Sequence, residues 1–259
     1  MIKHQFENLE YWSFETFREH CLNGILTRKG GVSPAPWNSL NFGGNLGDPR
    51  ENIIENRRRV FNAIGRPVES IFDSWQVHGT HVLIADMPRK LDEQHQKGDI
   101  VATDRPEITL FMRFADCTPI FLCDPVRRAV SIIHAGWKGT LARAAKAAVE
   151  GMAAAFGSAP KNLLAGIGPS IGPDHYRVGD EVVEIARENF GTDTQVFITG
   201  TAGQYSLNLW DANEFILREA GVESIERSDV CTACDPERWY SHRGESGKTG
   251  RFGAFLALR

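Results

Sequence analysis

The chain has 259 residues and 42% hydrophobic content, enough for one sizeable core, and α/β domains of this length form as single units. A formal net charge of -4 and a pI near 6.1 give no bulk electrostatic reason to bind DNA, RNA or an anionic membrane, although local basic residues can still collect small neutral or anionic substrates. Five cysteines without framework spacing point to reduced thiols. The polar start MIKHQFENLE has no apolar h-region, and no stretch nears the roughly 18 apolar residues of a spanning helix, so a soluble cytoplasmic protein is expected.

An irregular aromatic segment opens the chain and leads to GILTRKGGVSPAPWNSLNFGGNLGD. A short strand at 24–28 enters a loop dense in Gly, Pro, Asn and Ser, residues that supply turn angles and local hydrogen bonds. A loop this long is either functional or a solvated excursion. Asp48 and Pro49 mark a helix start, apolar residues at 53, 54, 60, 61 and 64 keep helical spacing, and Gly65 stops it. Arg57 to Arg59 on that helix read as a solvated or ion-paired face. SIFDSWQVHGTHVLIA carries two β-rich runs joined at HGT, which puts His78 at a strand end and His81 at the start of the next run. Residues 86–97 read as polar and mobile, and GDIVATDRPEITLFMRFADC returns to strand character.

The stretch from Phe111 to Thr140 organises the remainder. Its apolar runs TPIFLC and AVSIIH are separated by a DP turn signal, with Cys117 just before the first and His134 ending the second. Neighbouring strands would bring thiol and imidazole to one end of a sheet, where AGWKGT opens a helix. Such strand-to-helix mouths are where ligands sit in α/β folds. TLARAAKAAVEGMAAAFG is an Ala-rich helix stopped by Gly157. After it, NLLAGIG, a Gly/Pro loop and a helix from near Asp180 repeat the strand, loop, helix order. SLNLWDANEFILREAGV forms one more helix, ended by Gly221, and ESIERSDVCTACD a strand. The polar loop YSHRGESGKTGR precedes a last apolar run, FGAFLAL. No internal repeat or low-complexity linker appears, so one α/β domain over residues 1–259 is expected.

His78, Cys117 and His134 make a set of two imidazoles and one thiolate with an open fourth position, the general plan of a catalytic zinc centre. Their separations fit no zinc finger, and spacing alone favours a buried cysteine and two ordinary histidines. Cys231-Thr-Ala-Cys234 is half of a structural zinc site whose second pair is missing, and Asp235 and Pro236 indicate a turn rather than a thioredoxin-like helix. It reads as two reduced cysteines in a strand-to-loop corner. NFGGNLG and GIGPSIGP match neither a P-loop nor a dinucleotide fingerprint.

QVHGTHV, ADCTPIFLCDP, HAGWKGT, GIGPSIGPDHYRVGDEV and CTACDPERWYSHRGESGKTGR, in this order, resemble the YfiH-like laccase-domain family, once called multicopper polyphenol oxidases. The resemblance runs from SLNFGGNLGD to the C-terminus. It implies a compact α/β sandwich with a mixed sheet, and a catalytic metal, now generally taken as zinc, on His78, Cys117 and His134. It also implies phosphorolysis of adenosine, inosine, guanosine or methylthioadenosine, and hydrolytic deamination of adenosine. Older assignments in the family imply copper-dependent phenol oxidation, and some bacterial members are linked to editing of peptidoglycan precursors. Asp174 and His175 depart from the family, standing where many members have cysteines.

Deamination needs a carboxylate to move protons, and Asp116 beside Cys117 is the candidate, unless it only orients a ligand. Phosphorolysis needs cationic groups and donors around the anion; Lys138 and Arg243 stand next to Gly-rich turns, and Ser241 and His242 can add hydrogen bonds. The expected partners are purine nucleosides and phosphate, with no nucleic acid and no membrane, in a monomer or small homo-oligomer. Two further readings differ in class. One is a copper oxidase, for which the chain offers no obvious His-rich pairs for additional copper centres. The other is a metal-free hydrolase or peptide-editing activity with Cys117 as nucleophile and His134 as base.

Overall fold

The computed structural model describes residues 1–90 and 92–259. Strands β1 (Ile2–Phe6), β2 (Leu9–Ser13) and β3 (Cys21–Leu26) lead through a long loop to helix α1 (Arg50–Ala63). Strands β4 (Ile71–Asp73), β5 (Val82–Ile84), β6 (Ile100–Thr103) and β7 (Thr109–Phe114) precede the central pair, β8 (Thr118–Asp124) and β9 (Ala129–Ala135). Helices α2 (Trp137–Leu141) and α3 (Ala144–Phe156) follow, then β10 (Leu164–Ile167), β11 (Arg177–Val178) and α4 (Asp180–Phe190). The last elements are β12 (Ile198–Thr201), β13 (Gln204–Leu207), α5 (Leu209–Glu219), β14 (Ser224–Arg227) and β15 (Phe252–Leu258).

Two six-stranded sheets carry the architecture, in the orders β1-β2-β3-β15-β7-β4 and β14-β10-β8-β9-β6-β5, beside a small β11-β13-β12 sheet. Both large sheets are mixed: β4 runs parallel to β7, β5 to β6 and β10 to β14, and the other pairs are antiparallel. Every residue of β8, β9 and β15 is buried. Strands covered on both faces read as continuous apolar runs, and for that reason TPIFLC, AVSIIH and FGAFLAL stand out in the sequence.

The two-residue period of each strand divides its side chains between layers. Phe121 and Cys123 of β8 and Val130 and Ile132 of β9 meet Ile25, Leu110, Met112, Phe114 and Ala254 from the first sheet. Ile120, Leu122, Ala129 and Ile133 point the other way, onto Ala144, Ala148 and Met152 of α3 and Ile216 and Leu217 of α5. On the far side of the first sheet, Phe111 and Phe255 pack against Val60 and Phe61 of α1 and against Leu40 and Phe42 of the long loop. The molecule is therefore layered helix, sheet, sheet, helices. This is the mixed α/β sandwich that the resemblance implies.

Several elements differ from the sequence expectation. The aromatic opening is two strands of a sheet edge, missed because the polar residues of β1 face solvent. The single Ala-rich helix is two, broken where Arg143 takes a left-handed φ of 63° and lays its guanidinium 4.2 Å from the ring of Phe190. The predicted strand ESIERSDVCTACD is regular only over Ser224–Arg227. The span 86–97, apart from Leu91, which lies outside the described residues, is tied down by buried charge. Arg89 Nε sits 2.7 Å and His95 Nε2 3.1 Å from the fully buried carboxylate of Asp73, which also receives Arg57 of α1 at 2.9 Å. The ion-paired reading of Arg57 to Arg59 holds, with Arg58 and Arg59 both on Glu55.

Candidate active site

Cys117 and His134 converge because β8 and β9 pair antiparallel with His134 opposite Pro119, so the residue that precedes β8 lies beside the C-terminal end of β9. Both positions have the parity that faces the first sheet, and the His134 ring lies 5.4 Å from that of Phe114. His78 arrives from the loop between β4 and β5 in a left-handed conformation, φ 62°, with its ring centroid 4.9 Å from that of His134. One ligand atom from each of His78, Cys117 and His134 lies within 4.8 Å of the other two. Gly136 makes the meeting possible: a Cβ there would stand 2.7 Å from Cys117 Sγ and 3.1 Å from His78 Cδ2.

Asp99, which composition and spacing do not single out, holds this arrangement. It immediately precedes β6, where its carbonyl accepts the His134 N–H at 2.7 Å, and it is fully buried. Its Oδ1 is 2.8 Å from His134 Nδ1, which leaves Nε2 as the free ring nitrogen. The same carboxylate accepts the backbone N–H groups of Val77, His78 and Gly79 at 3.0, 2.9 and 2.8 Å. One carboxylate thus fixes the ring of one imidazole and the backbone of the other, a support that metal-ligating histidines commonly have. Burial alone would raise the Asp99 pKa, but the His134 contact and the backbone donors hold it below the usual carboxylate range.

The trio is electrostatically coupled. Burial disfavours a thiolate at Cys117, yet the charge of His134 and hydrogen bonds from both imidazoles outweigh it and bring the thiol down to about 6. Burial would lower His134, and the thiolate and Asp99 instead push it up to about 9. A deprotonated sulfur with two imidazoles suits zinc and also copper, so the donor set fits the ion that the resemblance implies.

The trio forms one wall of a cleft of about 380 Å³, within the range of small-molecule sites. Gly43 to Leu46 of the long loop, Trp75, Gln76, Arg113, His242 and Arg251 complete it. A second hollow of about 550 Å³ adjoins it, sharing Gly44, Asn45, Trp75 and Arg113. The long Gly- and Asn-rich loop is therefore part of the cleft. Arg113 is braced by Ser74 and Gln76, and Arg251 by the carbonyls of Thr249 and Gly250.

Of the other residues singled out in the sequence, His242 lines the cleft. Asp116 is next to Cys117, but both its oxygens are engaged elsewhere: Oδ1 accepts from Thr232 Oγ1 at 2.7 Å and Oδ2 from the Arg243 N–H at 2.6 Å. Asp116 thus ties the 231–243 loops to the ligand strand. Arg243 turns its guanidinium to the Arg177 carbonyl and lies 5.2 Å from the Tyr176 ring. Ser241 is buried, its Oγ accepting from the Gly244 N–H. Lys138 is exposed on α2, with Nζ 5.5 Å from the Trp137 ring. Arg113, Arg251 and Trp75 escaped the sequence reading. Arg251 had one signal, as the last charged residue before the final apolar run.

The laccase model described as multi-copper polyphenol oxidoreductase matches residues 22–259. The purine nucleoside phosphorylase YlmD of Bacillus subtilis is 34% identical over 250 residues, covering 93% of this chain and 90% of that protein. The crystal structure of the Bacillus licheniformis hypothetical protein YfiH superposes with a TM-score of 0.92 at 32% identity and covers 99% of each chain. That of YlmD from Geobacillus stearothermophilus also gives 0.92 at 32% identity, covering 100% of this chain and 99% of its own. With the fold, the motif order and nearly the full length in agreement, this chain belongs to the multi-copper polyphenol oxidoreductase laccase family, the YfiH family.

Proposed function

We propose that the protein is a zinc-dependent purine nucleoside phosphorylase that also deaminates adenosine. The observation that carries this reading is the convergence of His78, Cys117 and His134 on the wall of a cleft that also holds two arginines and an exposed indole. The relatives' name, purine nucleoside phosphorylase, supports the same reaction class.

His78 and His134 through ring nitrogens and Cys117 through Sγ would hold the ion. The chemistry zinc supplies in such a set is Lewis acidity, which lowers the pKa of a water to about 7. The rest falls to the chain. Trp75, 46% exposed at the rim, offers an apolar face for a purine ring. Arg251, His242 and Arg113 supply cationic and hydrogen-bonding groups for hydrogen phosphate. Held against C1′, a phosphate oxygen forms the new C–O bond as the C1′–N9 bond breaks. The electron pair leaves on the base, and the proton of hydrogen phosphate ends on the base nitrogen. The cationic groups favour this step by stabilising the charge that moves between anion and base.

Purified protein supplied with adenosine and phosphate is expected to yield adenine and ribose 1-phosphate, with inosine as a second product. Unchanged adenosine in a zinc-loaded sample would overturn the proposal. The lowered thiol of Cys117 beside His134 favours one second reading, a metal-free hydrolase with a thiolate nucleophile. Turnover that resists chelators and stops on covalent labelling of Cys117 would select it. Only zinc by elemental analysis, with no intense visible band after copper loading, would reject the copper oxidase.

A further inference from the structure

The fold supplies a partner that the C-x-x-C motif lacks in sequence. Cys231 and Cys234 lie on a turn closed by the Cys234 N–H to the Cys231 carbonyl, and His175 reaches them from the loop after β10. His175 Nδ1 stands 3.6 Å from Cys231 Sγ and 3.6 Å from Cys234 Sγ, and the three ligand atoms lie within 4.8 Å of one another. In a tetrahedral zinc site with Zn–S of about 2.3 Å and Zn–N of about 2.05 Å, sulfur and nitrogen are separated by about 3.6 Å. Both observed spacings equal that value.

The surroundings are those of a thiolate ligand. The Gly172 N–H donates to Cys231 Sγ at 3.2 Å, a contact that orients the sulfur and favours its negative form. Gly172 keeps this approach close, since a Cβ there would stand 3.2 Å from both Cβ and Sγ of Cys231 and press on them. His175 and Cys234 are exposed, so an ion can enter from solvent, and neither cysteine lines the cleft of the first trio.

We infer that His175, Cys231 and Cys234 form a second, structural site for a thiophilic divalent ion, zinc by donor set, with the fourth corner filled by water or by the adjacent Asp174. Its role follows from what lies between the ligands. Thr232, inside the C-x-x-C turn, donates to Asp116, and Asp116 precedes Cys117. Ile171, in the loop that carries His175, donates its N–H to the Asp116 carbonyl at 3.0 Å. An ion joining the two loops therefore clamps both sides of the segment that presents Cys117.

The test is a metal count on the full chain, stripped with a chelator and dialysed against zinc at low micromolar concentration. Wild type is expected to retain two zinc ions per chain, C117S one, C231S/C234S one and the triple variant none. H175A is expected to weaken the second ion at least tenfold. Cobalt gives a readout that leaves both cysteines of the second site in place: C117S should keep a thiolate-to-cobalt charge-transfer band, and H175A in that background should alter it. Circular dichroism of each stripped variant separates loss of a ligand from loss of the fold. A zinc count that C231S/C234S leaves unchanged would overturn the inference, as would retention only at millimolar zinc or isolation of the two thiols as a disulfide. A count lowered by C231S/C234S but unmoved by C117S would sink the first centre and leave this one standing.

Discussion

Replacing Asp99 by Asn keeps the side chain's shape and removes the charge that fixes the His134 ring, while an amide can still accept from at most part of the 77–79 backbone. D99N is expected to weaken zinc at the first centre 10- to 100-fold, read by competition against a chromophoric chelator. Gly136 gives an orthogonal test. The methyl of G136A would press on Cys117 Sγ from 2.7 Å, so zinc affinity should fall while global stability drops by only about 1–3 kcal/mol, a combination that denaturant titration can verify. Arg251 lines the cleft, where the proposed phosphorolysis sets it against phosphate. R251A should raise the KM for phosphate at least tenfold and leave that for the nucleoside nearly unchanged; equal rises in both would remove it from that role.

At the level of elements, Asp73 at the end of β4 is the joint between helix α1 and the span that follows β5. It gathers Arg57, Arg89 and His95 around a carboxylate with no exposure of its own. Removing one member of a buried ionic cluster strands the others, so D73N should cost about 3–5 kcal/mol by urea denaturation. The contrast between this joint and the ligand trio shows what could be read in advance. Cys117 and His134 were legible because each abuts an apolar run of a central strand, and α1, α4 and α5 because their caps and periodicity are local. Asp99, Arg113 and Arg251 were not. Their roles depend on β6 lying against β9 and on β15 lying against β7, pairings that no local pattern encodes. His175 was hidden for the same reason, being a third ligand separated from its C-x-x-C by helices α4 and α5.

For the whole molecule, carboxylates paired in buried or half-buried settings set the response to acid. Burial acts to raise Asp73 and Glu226, but His95 and the arginines in the first case, and the Thr16 N–H and the N-terminal ammonium in the second, hold both below the ordinary carboxylate range. A depressed native pKa favours the charged form in the fold. The stabilisation is thus complete above the unfolded pKa and is lost as pH falls toward the native one. The free energy of unfolding should decline progressively below about pH 5, and in D73N the decline should be shallower.

Strand β15 has a kinetic corollary. It is interior to the first sheet, yet its neighbours β3 and β7 come from the first half of the polypeptide, so that sheet closes only after most of the chain has been drawn into a loop. Contacts between residues so distant in order make the search for the native topology slow, on the millisecond-to-second scale or longer. Until the search ends, β3 and β7 present open edges to any other molecule, and crowding during renaturation would convert them into aggregates.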